Sequence, residues 1–177
     1  MRFIYPFLIL LLPWMLCAQE VKNPLKIQLI SEIKTVAAGQ PFYVGLHLKH
    51  PAGYHTYWKH PGIVGVATQI EWELPPGFKA GEIEWPAPKR VRMASYTAQG
   101  YHGETLLMVA VTPPVNLTTQ SIHLAAKVTW MCCAKGCHPA MGIPFFIDLP
   151  VASTATLDHS TQPLFEKFRT LVARPDP

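Results

Sequence analysis

Apolar and polar positions alternate along much of the chain. Phe42, Val44, Leu46 and Leu48 interleave with Tyr43, Gly45, His47 and Lys49, the period-two pattern of a strand buried on one face. Ile70, Trp72 and Leu74 repeat it against Gln69, Glu71 and Glu73. The same reading predicts strands over Leu25–Ile33, Phe42–Lys49, Thr68–Leu74, Glu82–Trp85, Thr105–Thr112, Ile122–Met131 and Ile143–Leu149. Pro75-Pro76-Gly77 and Pro113-Pro114 punctuate them as turns. A helical period occurs once, over Pro163–Val172, where Leu164, Phe165, Phe168, Leu171 and Val172 form an apolar stripe. The pattern predicts an all-β sandwich of two sheets with a short C-terminal helix.

With 177 residues, 49% apolar and 15% charged, the chain is a globular protein with enough material for one core. The first 18 residues stand apart: Arg2, then an apolar run from Phe3 to Leu16, then Cys17-Ala18. This predicts a cleaved secretory signal peptide over 1–18, a sandwich over 19–152 and a helical tail over 153–177. A membrane anchor fits less well, because the run is short and broken by Pro6 and Pro13. A lipid on Cys17 is the weaker alternative, since bulky Leu16 stands where a small residue is wanted. The net charge of +4 is spread out apart from Lys89-Arg90-Val91-Arg92, which argues against a nucleic-acid partner.

Two long segments, Pro51–Val66 and Pro86–Gly103, are rich in aromatics and histidine and poor in strand pattern. Connections of this length in a small domain are usually lids or binding loops.

The chemistry concentrates in Lys127–Gly142, where Cys132, Cys133 and Cys137 occur together and His138-Pro139 follows the last. They occupy a strand-to-strand turn, and Gly136 helps a reversal tight enough to bring Cys133 and Cys137 within disulfide reach. Of the four cysteines, cleavage of the expected signal peptide would remove Cys17, and the odd number left implies at least one thiol with no intramolecular disulfide partner. Three readings stay open at this point. A static Cys133–Cys137 staple would close so short a loop that it contributes modestly. A copper or zinc site would use Cys132, Cys133, Cys137 and His138, with His55, His60 or His102 from the long segments, although the spacing is not that of paired zinc ligands. A redox pair needs an accessible thiolate and a resolving partner, and Lys135 and His138 favour the thiolate.

Three segments then resemble the amino-terminal domain of the thiol:disulfide interchange protein DsbD and its copper-sensitivity suppressor relatives: LHLKHPAGYHTYWKHPG (Leu46–Gly62), IEWELPPGFKAGEIEWPAPKRV with GYHGETLL (Ile70–Val91, Gly100–Leu107), and VTWMCCAKGCHPA (Val128–Ala140). The resemblance covers about Leu25–Val151 and implies a periplasmic immunoglobulin-like β-sandwich that acts as a protein-disulfide reductase component without a cofactor. It implies Cys133 and Cys137 as the active pair, Cys137 forming mixed disulfides and Cys133 resolving them. It also implies that Tyr54 and Tyr57 lie near the site and that Pro86–Gly103 is a cap loop, with Trp85, Tyr96 or Tyr101 as the covering ring. The implied partners are a membrane-embedded thiol electron donor on a separate chain and periplasmic acceptors, thioredoxin-like proteins or disulfide isomerases, in cytochrome maturation or copper tolerance. Three departures are visible: a shorter cysteine spacing, the extra Cys132, and Lys89, Arg90 and Arg92 where well-known members carry acids.

Elsewhere, Trp58, Trp72, Trp85 and Trp130 read as packing residues. His47 and His123 read as surface or edge positions, and Glu71, Glu73, Glu82 and Glu84 as solvent-facing.

Overall fold

A computed structural model describes residues 23–173; the expected signal peptide lies outside them. The strands are β1 Lys26–Ser31, β2 Ile33–Thr35, β3 Phe42–Lys49, β4 Thr56–Tyr57, β5 Gln69–Glu73, β6 Lys79–Glu84, β7 Lys89–Met93, β8 Tyr96–Tyr101, β9 Glu104–Thr112, β10 Ser121–Cys133, β11 Cys137–Pro150 and β12 Thr156–Leu157, followed by helix α1 Gln162–Arg169.

Two sheets face each other as an immunoglobulin-like sandwich. One has the order β1-β3-β9-β6 and the other β11-β10-β5, with every pairing in them antiparallel. Alternation supplies the core: Val44, Leu46 and Leu48 of β3, Leu107, Val109 and Val111 of β9, and Leu124, Val128 and Trp130 of β10 are all buried. Trp58, Trp72, Trp85 and Trp130 pack on these apolar clusters, as expected.

The outer face of β9 is buried as well. Leu106 and Met108 are covered by Phe165 and Phe168 of α1, and Gly45 makes the room, since a Cβ there would run into the Leu106 and Phe165 side chains. Pro163 sits in the first turn of α1, where its missing N–H costs nothing. His47, expected near the surface, is buried on this central strand and donates from Nε2 to Glu104 at 3.1 Å. Glu104 also accepts from Lys167 at 3.1 Å, and Lys167, then His47, hold its carboxyl below the usual range. Glu84, expected to face solvent, is half-buried and accepts the Tyr43 hydroxyl at 2.7 Å. His123 does lie at the surface, paired with Asp148 at 2.7 Å.

The Pro86–Gly103 segment is a β-hairpin, not an irregular loop: β7 and β8 pair from Lys89↔Gly100 to Met93↔Tyr96. Its turn at Ala94-Ser95 puts Ala94 at φ 52, a left-handed value more usual for glycine. The base of this hairpin is tied down by the segment after α1. Ala87 N–H donates to the Leu171 carbonyl at 2.7 Å, and Ala173 N–H to the Trp85 carbonyl at 2.9 Å.

Candidate active site: a capped cross-strand cysteine pair

Cys133 ends β10 and Cys137 begins β11, directly opposite each other in register. The backbone of Cys133 turns the other way: its N–H donates to the His55 carbonyl and its carbonyl accepts from His55 N–H, both at 2.9 Å. Cys133 and Cys137 are therefore a non-hydrogen-bonded pair, the closer kind in an antiparallel ladder. Their α-carbons are 4.1 Å apart and a disulfide joins them.

The ladder continues past His55. Thr56 and Tyr57 pair with Tyr101 and Gly100 of β8, so an unbroken series of strands runs from β11 through β10, the 55–57 segment and β8 to β7. Gly100 permits this close approach, because a Cβ there would collide with the Thr56 carbonyl oxygen. The two long segments singled out from sequence thus meet at the cysteine turn. The Pro51–Val66 segment lies between the cysteines and the cap.

The two sulfurs differ in access. Cys133 is 0% exposed and packs with Tyr57, Val91 and Ala98, with Met93 and Met131 beside them. Cys137 is exposed, and its Sγ lies 3.8 Å from the Sδ of Met93. A disulfide sulfur carries no hydrogen, so this is a sulfur–sulfur contact.

Of the four tyrosines expected nearby, Tyr57 packs on Cys133. Tyr54 sits against His138, ring centroids 5.9 Å apart. Tyr101 is buried in the sandwich core and donates to the Pro86 carbonyl at 2.7 Å, and burial pushes its hydroxyl pKa far up. Tyr96 is 51% exposed near the hairpin tip. A cap side chain that touches the Cys137 sulfur is Met93, which sequence reasoning missed. The Val91-x-Met93 alternation on a lid segment was the available signal.

The four candidate metal ligands are divided by strand alternation. Cys132 pairs with His138 on one face and Cys133 with Cys137 on the other. Cys132 is buried with Leu46, Val128 and Trp130, and burial pushes its thiol up to about 11. Among the described residues, no group of three His, Cys, Asp or Glu side chains is placed to hold a metal ion.

Behind the cysteines lie three histidines. His50 donates from Nδ1 to the Gly103 carbonyl at 2.7 Å and accepts from the Thr56 hydroxyl at Nε2, 2.9 Å away. His55 meets the Tyr57 hydroxyl at 3.2 Å, and its ring stands 5.7 Å from that of His102. Burial holds both His50 and His55 below the ordinary histidine range, and the neighbouring histidine charge adds to it. His60 is exposed beside Trp58.

An immunoglobulin-like sandwich with a cysteine pair at a strand hairpin, under a second hairpin, defines a thiol-disulfide exchange domain. The chain belongs to the family of the thiol:disulfide interchange protein DsbD, N-terminal domain, whose profile matches residues 27–147. Its fold is similar to that of the N-terminal periplasmic domain of ScsB from Proteus mirabilis, with a TM-score of 0.62 and 17% identity over 87% of this chain and 56% of that one. The Neisseria meningitidis DsbD N-terminal domain in the reduced form aligns more loosely, at TM-score 0.36 and 15% identity over 73% of this chain and 89% of that one. No curated protein sequence matches. Among the described residues, no helix is long and apolar enough to cross a membrane.

Proposed function

We propose that this domain is a periplasmic electron relay that cycles Cys133 and Cys137 between dithiol and disulfide. The observation that carries the reading is the asymmetry of the pair, one sulfur enclosed and the other at the surface under a single thioether. A staple would need neither the cap nor the asymmetry. Closing so short a loop is worth about 2 kcal/mol in the chain-entropy description, small beside a β10–β11 ladder of twelve register pairs.

In the reduced domain the Cys137 thiolate attacks a partner disulfide. A Cys137–partner bond forms, and one partner sulfur leaves as thiolate. The Cys133 thiolate then attacks Cys137 Sγ, which re-forms the internal disulfide and releases the second partner thiolate. Two electrons pass to the partner; the two domain thiols give their protons to solvent, and the partner thiolates take up two. A membrane-embedded dithiol protein resets the domain by the reverse exchange. Acceptors are periplasmic thioredoxin-like proteins or disulfide isomerases.

Titration of the domain in a thiol/disulfide buffer, read by alkylation mass shift with the cysteines mapped, tests this. A reversible two-electron transition on Cys133 and Cys137 supports the relay. A bridge that stays closed in strongly reducing buffer overturns it.

A further inference from the structure

The three segments that converge on Cys137, residues 50–66, 86–103 and 128–147, contain no aspartate or glutamate. They carry Lys59, Lys89, Arg90, Arg92 and Lys135, all exposed. None of the five pairs with a carboxylate among the described residues, whereas Lys127, Lys167 and Arg169 each do. Lys59, Arg90, Arg92 and Lys135 lie on the cap, on the segment beside it and in the cysteine turn, whereas Lys89, at the hairpin base, lines a separate cleft with Glu104 and Lys167. On the cap hairpin Val91 and Ala98 point inward to Cys133, so Arg90 and Arg92 point outward, opposite Gln99 and Thr97. Trp58 N–H donates to the Gln99 carbonyl at 3.0 Å and Gln99 N–H to the Pro61 carbonyl at 2.9 Å, which lays Lys59 alongside. Lys135 is in the turn between the two cysteines. Two apolar side chains project among these charges: Tyr96 is 51% and Ile63 81% exposed.

A partner that reaches Cys137 from the cap side covers part of this face. Covering unpaired cations with a neutral or basic surface leaves them desolvated and uncompensated, which weakens the complex. Carboxylates offset that loss and speed the encounter. Resting on the exchange reading, we propose that the face around Cys137 is a docking surface for a protein whose own cysteine-bearing face is acidic, with an apolar contact for Tyr96 and Ile63.

The test uses the reduced domain and three cyclic disulfide peptides of one sequence, flanked by glutamates, lysines or serines. Second-order rate constants for oxidation of Cys133 and Cys137 are measured across ionic strength. The glutamate peptide is expected to react about tenfold or more faster than the lysine peptide at low salt, with the gap closing as salt rises toward about 0.5 M. Arg90→Glu with Arg92→Glu, whose retained fold is checked by circular dichroism, should cancel or invert the preference. Equal rates for the glutamate and lysine peptides, with the serine peptide still reacting, overturn the acidic partner and leave the exchange reading standing. A serine peptide that leaves the thiols reduced overturns both.

Discussion

The Sδ of Met93 lies 3.8 Å from the Sγ of Cys137, so one thioether on the cap hairpin stands over the exposed half of the disulfide. Met93→Ala removes roughly 1 kcal/mol or more of apolar contact between cap and disulfide. Reduction by dithiothreitol should then be about fivefold faster, with the midpoint potential nearly unchanged. A rate equal to wild type would show that Met93 shields nothing.

On the proposed exchange reading, the difference in access predicts different roles for the pair. Cys137→Ser should abolish exchange, and Cys133→Ser should accumulate a mixed disulfide at Cys137 when challenged with a disulfide-containing partner. Mass spectrometry of the trapped species decides it. The reverse pattern would mean that partners enter from the Cys133 side.

Cys132 is buried away from the pair with its thiol held neutral. Cys132→Ala should leave the exchange rate within about twofold of wild type, because a neutral thiol is a poor nucleophile. Cys132→Ser should cost about 1–3 kcal/mol of stability by burying a hydroxyl in an apolar cluster, read by urea unfolding. Loss of exchange in the alanine variant would place Cys132 in the relay.

His50 and His55 are held neutral by burial, with folded values below the ordinary 6.5. Above that pH neither folded nor unfolded chain binds a proton at these rings. As pH falls below it, the unfolded chain protonates first, and stability is lost until the folded values are passed, at up to about 1.4 kcal/mol per pH unit for each histidine. Melting temperature should fall between about pH 7 and pH 5, with a shallower slope in His50→Gln. Identical slopes would mean that other groups control acid stability.

Ala173 N–H bonds the Trp85 carbonyl at the base of the cap. Ala173→Pro deletes that donor, at a cost of about 1 kcal/mol or roughly 3 °C in melting temperature. If the segment after α1 holds the cap in place, the same variant should also expose Cys137 to faster reduction. A melting shift with no change in reduction rate would confine the segment to stability.

The sandwich was readable because β3, β5 and β10 each alternate apolar and polar residues along the sequence, while β9 is a continuous apolar run, buried on both faces once α1 covers it. The cap was not, because Ala94-Ser95 replaces the glycine or asparagine that marks a tight hairpin, and its outward positions are charged. His47 looked like a surface residue because alternation does not reveal that α1 returns over the second face of the sheet. The cysteine turn was legible as chemistry. Its cover was not, since Met93 reaches Cys137 only after the hairpin folds back, with residues 55–57 wedged between.

Cys133 is anchored by two backbone bonds to His55, and Cys137 faces it across the ladder; none of these backbone bonds depends on the sulfur bond. Each thiol therefore meets the other at an effective concentration far above that of any free thiol. In the proposed relay a covalent complex with a partner is brief by construction, because the waiting Cys133 is always nearer than the next molecule. On that reading the domain turns over quickly and releases what it has reduced.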